Sequence, residues 1–101
     1  MNYSLITCIV EKGKAEGIVE QAISRGAQGA TYFNAKGKGV REKMGIRGMF
    51  IKEDKEVIMI VVKPEQKNDI FDRVVTMAGL SETGKGFAFV QEVEAAVGFL
   101  D

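Results

Sequence analysis

The sequence predicts an α+β domain: a four-stranded antiparallel sheet with two helices on one face, connected βαββαβ. Three observations predict it. Short β-branched runs alternate with two stretches of helical apolar spacing. The order strand, helix, strand occurs twice. A glycine-rich basic stretch from Asn34 to about Asp54 separates the two halves. Tandem βαβ halves of this length describe the ferredoxin-like arrangement.

Each element has its own signal. Tyr3 to Val10 (Tyr-Ser-Leu-Ile-Thr-Cys-Ile-Val) is rich in β-branched and apolar residues and reads as a strand. Glu11-Lys12-Gly13-Lys14 breaks it. Ala15, Ile18, Val19, Ala22 and Ile23 then fall at i, i+3, i+4, i+7 and i+8, one stripe of a helix. Arg25 and Gly26 supply its stop, a cation followed by a residue that tolerates left-handed backbone. Thr31-Tyr32-Phe33 is the second strand. Glu56 to Lys63 is an almost unbroken apolar run and reads as a strand buried on both faces. Pro64 and Glu65 open the second helix, Lys67, Ile70, Phe71, Val74, Val75 and Ala78 take helical spacing, and Gly79 closes it. A short loop, Leu80 to Gly86, leads to a last strand from Phe87 to about Val97.

The whole chain, 1–101, reads as one domain, long enough to bury a core without disulfides. An apolar fraction of 46% beside 28% charged residues fits an ordinary soluble protein. Lys+Arg and Asp+Glu both number 14, so no global field recruits nucleic acid or an acidic membrane. The positive charge is local: Lys36, Lys38, Arg41, Lys43 and Arg47 stand against Glu42 alone. Gly37, Gly39, Gly45 and Gly48 make a helix there entropically expensive, so the stretch reads as a long loop. Loops of more than about a dozen residues inside a compact domain are usually functional. The N-terminus carries no signal-peptide pattern and no run is of membrane-spanning length, so a cytoplasmic protein is expected.

Two helices can cover only one face of the sheet, yet Leu5-Ile6, Val57 to Val62 and Phe87 to Val90 are apolar on both. A face of that size is expected to be buried against copies of the same chain. The two triplets Gly37-Lys38-Gly39 and Gly84-Lys85-Gly86 could converge backbone N–H groups and charge on a small anion. The plainer alternative for each is a turn with solvated lysines. No histidine is present, which leaves out the residue most used for proton transfer and metal ligation. Met44 and Met49 raise soft-metal binding, whereas Met59 and Met77 read as core filler. Cys8 reads as a buried small apolar residue, with no partner for a disulfide. Glu82, Glu92 and Glu94 have no basic or nucleophilic partner in sequence and read as solvent residues, so an enzyme is not expected.

Gly29-Ala-Thr-Tyr-Phe-Asn-Ala-Lys-Gly-Lys-Gly and Thr83-Gly-Lys-Gly-Phe-Ala-Phe-Val together resemble the P-II signalling family, in its divergent P-II-like branch. The resemblance covers nearly the whole chain. It implies a homotrimer that binds adenine nucleotide at subunit clefts, with residues 37–54 as the T-loop and 80–86 as the B-loop. Thr31, Lys36, Gly37 and Gly39 match the mouth of the T-loop, Ile9 the adenine pocket, Lys55 the lysine where the T-loop returns, and Gly84 and Gly86 the B-loop. Lys38, Arg41 and Lys85 are placed to add charge to the same nucleotide site. Met44, Ile46, Arg47, Met49 and Phe50 are implied as a partner-docking arm, the partner being a membrane transporter or a metabolic enzyme. No cofactor is required; AMP, ADP or ATP is the implied effector.

The departures are informative. Gly98 and Leu100 stand where the family has a pair of phosphate-binding arginines, and Phe87 stands where a lysine is usual. Arg41 replaces a magnesium-holding glutamine. No tyrosine or serine lies between Gly37 and Lys55. These departures imply weak triphosphate binding. The alternatives are a ligand-free trimeric interaction module and a metal-tolerance-type trimer of the same architecture.

Overall fold

A computed structural model of the chain describes residues 2–40 and 50–98, with side chains described at 2–38 and 54–98. The elements run β1 (Ser4–Glu11), α1 (Ala15–Ser24), β2 (Gly29–Val40), β3 (Phe50–Val62), α2 (Pro64–Ala78) and β4 (Gly86–Glu92). The strands form one sheet in the order β2-β3-β1-β4, and every neighbouring pair is antiparallel. The ferredoxin-like arrangement is therefore present, with both helices on one side.

Register fixes which residues meet the helices. Ile6, Cys8 and Val10 of β1 lie beside Ile60, Ile58 and Glu56 of β3, and all of these are buried. Ala15, Ile18 and Ala22 of α1 and Ile70, Val74 and Ala78 of α2 close over them. These are the inward positions of the two helical stripes; Ile23, at the edge of the first, stays half exposed. Each buried Ile or Val contributes roughly 1.5–3 kcal/mol. The stops fall where glycine allows them: Gly26 has φ +97° and Gly79 φ +66°. At the start of α2, the backbone N–H of Lys63 donates to Gln66 Oε1 at 2.9 Å.

Burial pushes the Cys8 thiol up to about 12. It therefore stays protonated at pH 8. A thiol-disulfide reagent at that pH is expected to leave folded protein unlabelled and to label it fully in denaturant; rapid labelling of native protein would contradict the buried position.

Three expectations need correction. Met59 is not core filler: with Ile58 and Ile60 turned inward, strand alternation turns Met59 to the helix-free face, where it is 39% exposed. The last strand ends at Glu92 rather than near Val97. Glu92 pairs with Ser4, the first residue of β1, and after Val93 N–H donates to the Tyr3 carbonyl there is no further strand to pair with. Glu94 accordingly lies beyond the sheet. In addition, strands reach well into the basic stretch. β2 and β3 stay paired from Gly29↔Val61 out to Val40↔Phe50, so Gly37 to Val40 and Phe50 to Asp54 form a ribbon, not a loop.

The helix-free face is apolar as expected. Phe33, Val57, Ile9 and Phe87 lie side by side across the four strands, and Thr31, Met59, Thr7 and Phe89 form the next row. Phe87 and Phe89 stack with centroids 6.1 Å apart. Phe87 keeps 54% of its surface and Phe33 49%.

Candidate functional site

One end of the sheet gathers the charged residues. It is built from the end of β1, the turn at 12–14, the base of the β2–β3 ribbon and the loop before β4. Antiparallel register explains the gathering: Glu11 of β1 sits beside Lys55 of β3, which sits beside Ala35 of β2, while Gly86 enters next to Val10. The chain thus brings two stretches almost fifty residues apart, at Lys36 and Lys85, to the same end.

Two of the expected anion-binding lysines are engaged. Lys36 Nζ donates to Asp54 Oδ1, its cross-strand partner, and both side chains are exposed. The hydrogen bond from Lys36, its charge and the charge of Lys12 hold the Asp54 carboxyl below its ordinary value. Lys85 Nζ lies 3.7 Å from Glu11 Oε2. Lys38 is exposed, and register places it opposite Lys52.

The glycines divide into different kinds. Gly37 is extended strand in register with Glu53, so its backbone is not that of a turn. Its missing side chain instead makes room for the stem of Lys55, whose Cγ would lie 3.3 Å from an added Cβ. Gly39 pairs opposite Ile51. Gly84 has φ +85° and open space around it, as an exposed loop glycine requires. Gly86 has φ +129°, and an added Cβ there would lie 2.0 Å from the Ile9 carbonyl oxygen. Its close approach to β1 is a packing requirement.

Ile9 and Thr31 lie on the helix-free face, Ile9 half buried between Val57 and Phe87, Thr31 exposed beside Met59. Phe50 opens β3 opposite Val40. Arg41, Met44, Ile46, Arg47 and Met49 lie outside the described residues, as does Leu100; Gly98 is exposed with φ +98°.

Sequence reading missed Asp54, Lys12 and Glu56. Glu56 is buried and accepts from Gly13 N–H and Ala15 N–H, each at 2.9 Å. It thereby ties the turn that carries Lys12 to β3. The available signal was phase: Glu56 shares the inward positions with Ile58 and Ile60, and a carboxylate there needs donors.

A four-stranded βαββαβ sheet with a β2–β3 ribbon, and charged residues at the end that the ribbon base shares with the β4 loop, defines a small ferredoxin-like domain class. Within it, the chain belongs to the family described as Nitrogen regulatory protein P-II, which it matches over residues 3–99. By sequence, no curated protein matches it. Among solved structures it is similar to a Bacillus subtilis GlnK–ATP complex, with TM-score 0.74 and 16% identity over 92% of this chain and 85% of that one. It is also similar to the periplasmic divalent cation tolerance protein CutA from Archaeoglobus fulgidus, with TM-score 0.75 and 14% identity over 94% and 87%. Among the described residues, no group of three His, Cys, Asp or Glu is placed to hold a metal ion, and no helix is long and apolar enough to cross a membrane.

Proposed function

We propose that the chain is a trimeric, non-enzymatic regulator that binds an adenine nucleotide or another small anion at its subunit clefts. The residues between β2 and β3, with Met44, Ile46, Arg47, Met49 and Phe50, then control a protein partner, a transporter or a metabolic enzyme. The observation that carries this reading is the placement of the ribbon base and the β4 loop at one end of the sheet, on either side of β1 and beside an uncovered apolar face, in a chain of the P-II family. Burying Phe33, Met59, Phe87 and Phe89 between copies removes them from water. The same association turns an open sheet end into a cleft. That the similar GlnK structure is an ATP complex supports the nucleotide class. Gly98 and Leu100, in place of arginines, favour AMP or ADP over ATP.

Sedimentation and calorimetry test it together. The expected mass is about three times that of the 11.0 kDa chain, falling to one chain's mass in Phe89→Lys, where a charge enters the covered face. Titration with AMP, ADP, ATP and bicarbonate is expected to give heat with AMP or ADP and less with ATP. A monomeric wild type, or silence from all four ligands, would overturn the reading. Similarity to CutA supports a second reading, a metal-binding trimer of the same architecture; saturable Cu(II) or Zn(II) binding with no nucleotide heat would favour it.

A further inference from the structure

The geometry points to Asp54 as an internal competitor for the anion: its carboxylate occupies Lys36 at the base of the β2–β3 ribbon, and an effector must displace it to bind there. This rests on the proposal that an anion binds at this end of the sheet. Lys36 and Asp54 are direct partners across the two strands, so their ion pair closes the ribbon where it leaves the sheet. The charge of Lys12, on the turn after β1, also acts on Asp54. That turn is held in place by the Glu56 bonds to Gly13 and Ala15. Asp54 therefore holds a cation that an incoming anion would also seek. On the opposite face of the same sheet end, Glu11 stands within ion-pair distance of Lys85.

The consequence is selectivity. A singly charged anion that replaces Asp54 on Lys36 exchanges one charge contact for another and loses its own freedom of motion, so it gains little. A diphosphate brings more charge than it displaces. The site then favours a phosphate group carrying more than one charge over a singly charged anion such as bicarbonate.

Affinity measurements in a double-mutant cycle test the competitor. Wild type, Asp54→Asn, Lys36→Gln and the double variant are titrated with ADP and, in a separate arm, with inorganic pyrophosphate. Asp54 is exposed, so its replacement leaves the core intact. Asp54→Asn is expected to bind ADP about three- to fivefold tighter, the range that exposed ion pairs allow. The gain should vanish in the Lys36→Gln background. Asp72→Asn, which removes the same charge from an exposed position on α2, should give no gain. Equal or weaker binding by Asp54→Asn, an equal gain in Asp72→Asn, or a gain that survives Lys36→Gln overturns the competitor while leaving anion binding standing. Failure of wild type and Asp54→Asn alike to bind ADP or pyrophosphate overturns both. A gain with pyrophosphate as well as ADP assigns it to the phosphates; a gain with ADP alone assigns it to the nucleotide.

Discussion

Gly86→Ala is expected to be the most damaging single substitution in the chain, lowering stability by at least about 3 kcal/mol. Two independent costs fall on one atom. At φ +129° any L side chain is strained, whatever the space around it. The added Cβ would also lie 2.0 Å from the Ile9 carbonyl oxygen and 3.0 Å from its carbon. Both are backbone atoms of the central strand β1, which pairs on its other side with β3 and cannot swing away without breaking that ladder. For a domain of this size, such a loss lowers Tm by about 12 °C or more. Gly84→Ala separates folding from ligand binding. It shares the positive φ, at +85°, but has nothing within 4 Å, so its cost is conformational, about 1–2 kcal/mol. Thermal melts of the two variants should differ by several degrees in that order. If both melt alike, Gly86 is not held against β1 as described. If Gly84→Ala folds well but loses nucleotide heat, the loop glycine serves the ligand and Gly86 serves the sheet.

That distinction marks the limit of what the sequence could convey. Glycine at 84 and glycine at 86 look alike in a Gly-Lys-Gly triplet, and only the pairing of β4 with β1 tells them apart. The elements themselves were legible. The stripes at Ala15 to Ala22 and Ile70 to Ala78, the stops at Gly26 and Gly79 and the start at Pro64 depend on local chemistry that a sequence displays directly. The uncovered apolar face was legible too, because both sides of the β1 and β3 strands are apolar. Strand ends were not. Asn34-Ala-Lys-Gly-Lys-Gly has no apolar alternation to announce a strand, yet it is one, because β3 supplies a partner along its whole length. The Phe87 strand stops early for the converse reason, since β1 has no residues left to pair with it. Asp54 was hidden similarly. Its meaning lies in facing Lys36 across the ribbon, and a stretch read as loop has no register.

Removing the Glu56 carboxylate is expected to give the second-largest loss, about 2–4 kcal/mol for Glu56→Ala. Helix α1 begins at Ala15 after Lys14, which offers no side-chain cap. The first N–H groups of a helix have no partner within it. Here the partner comes from 41 residues away: Glu56 Oε1 accepts from the buried Ala15 N–H and from Gly13 N–H. Negative charge at a helix N-terminus is also favourable to its dipole. Truncation leaves two donors unmet and a hole under the turn. Glu56→Gln keeps an acceptor oxygen and loses only the charge, so it should cost about 1 kcal/mol. Urea unfolding should rank wild type, Gln and Ala in that order, and amide exchange at Ala15 to Ile18 should speed up most in the Ala variant. An Ala variant within about 0.5 kcal/mol of wild type would mean that another group caps α1. The same substitution reaches the charged end of the sheet. Asp54, Lys55 and Glu56 are consecutive on β3: the first clips Lys36, the second packs over Gly37, and the third anchors the turn bearing Lys12. Loosening that turn withdraws one of the two cations acting on Asp54. Glu56→Ala is therefore expected to weaken ADP binding even at temperatures where the protein remains folded, while Glu56→Gln, with the turn still tied, should bind much as wild type does.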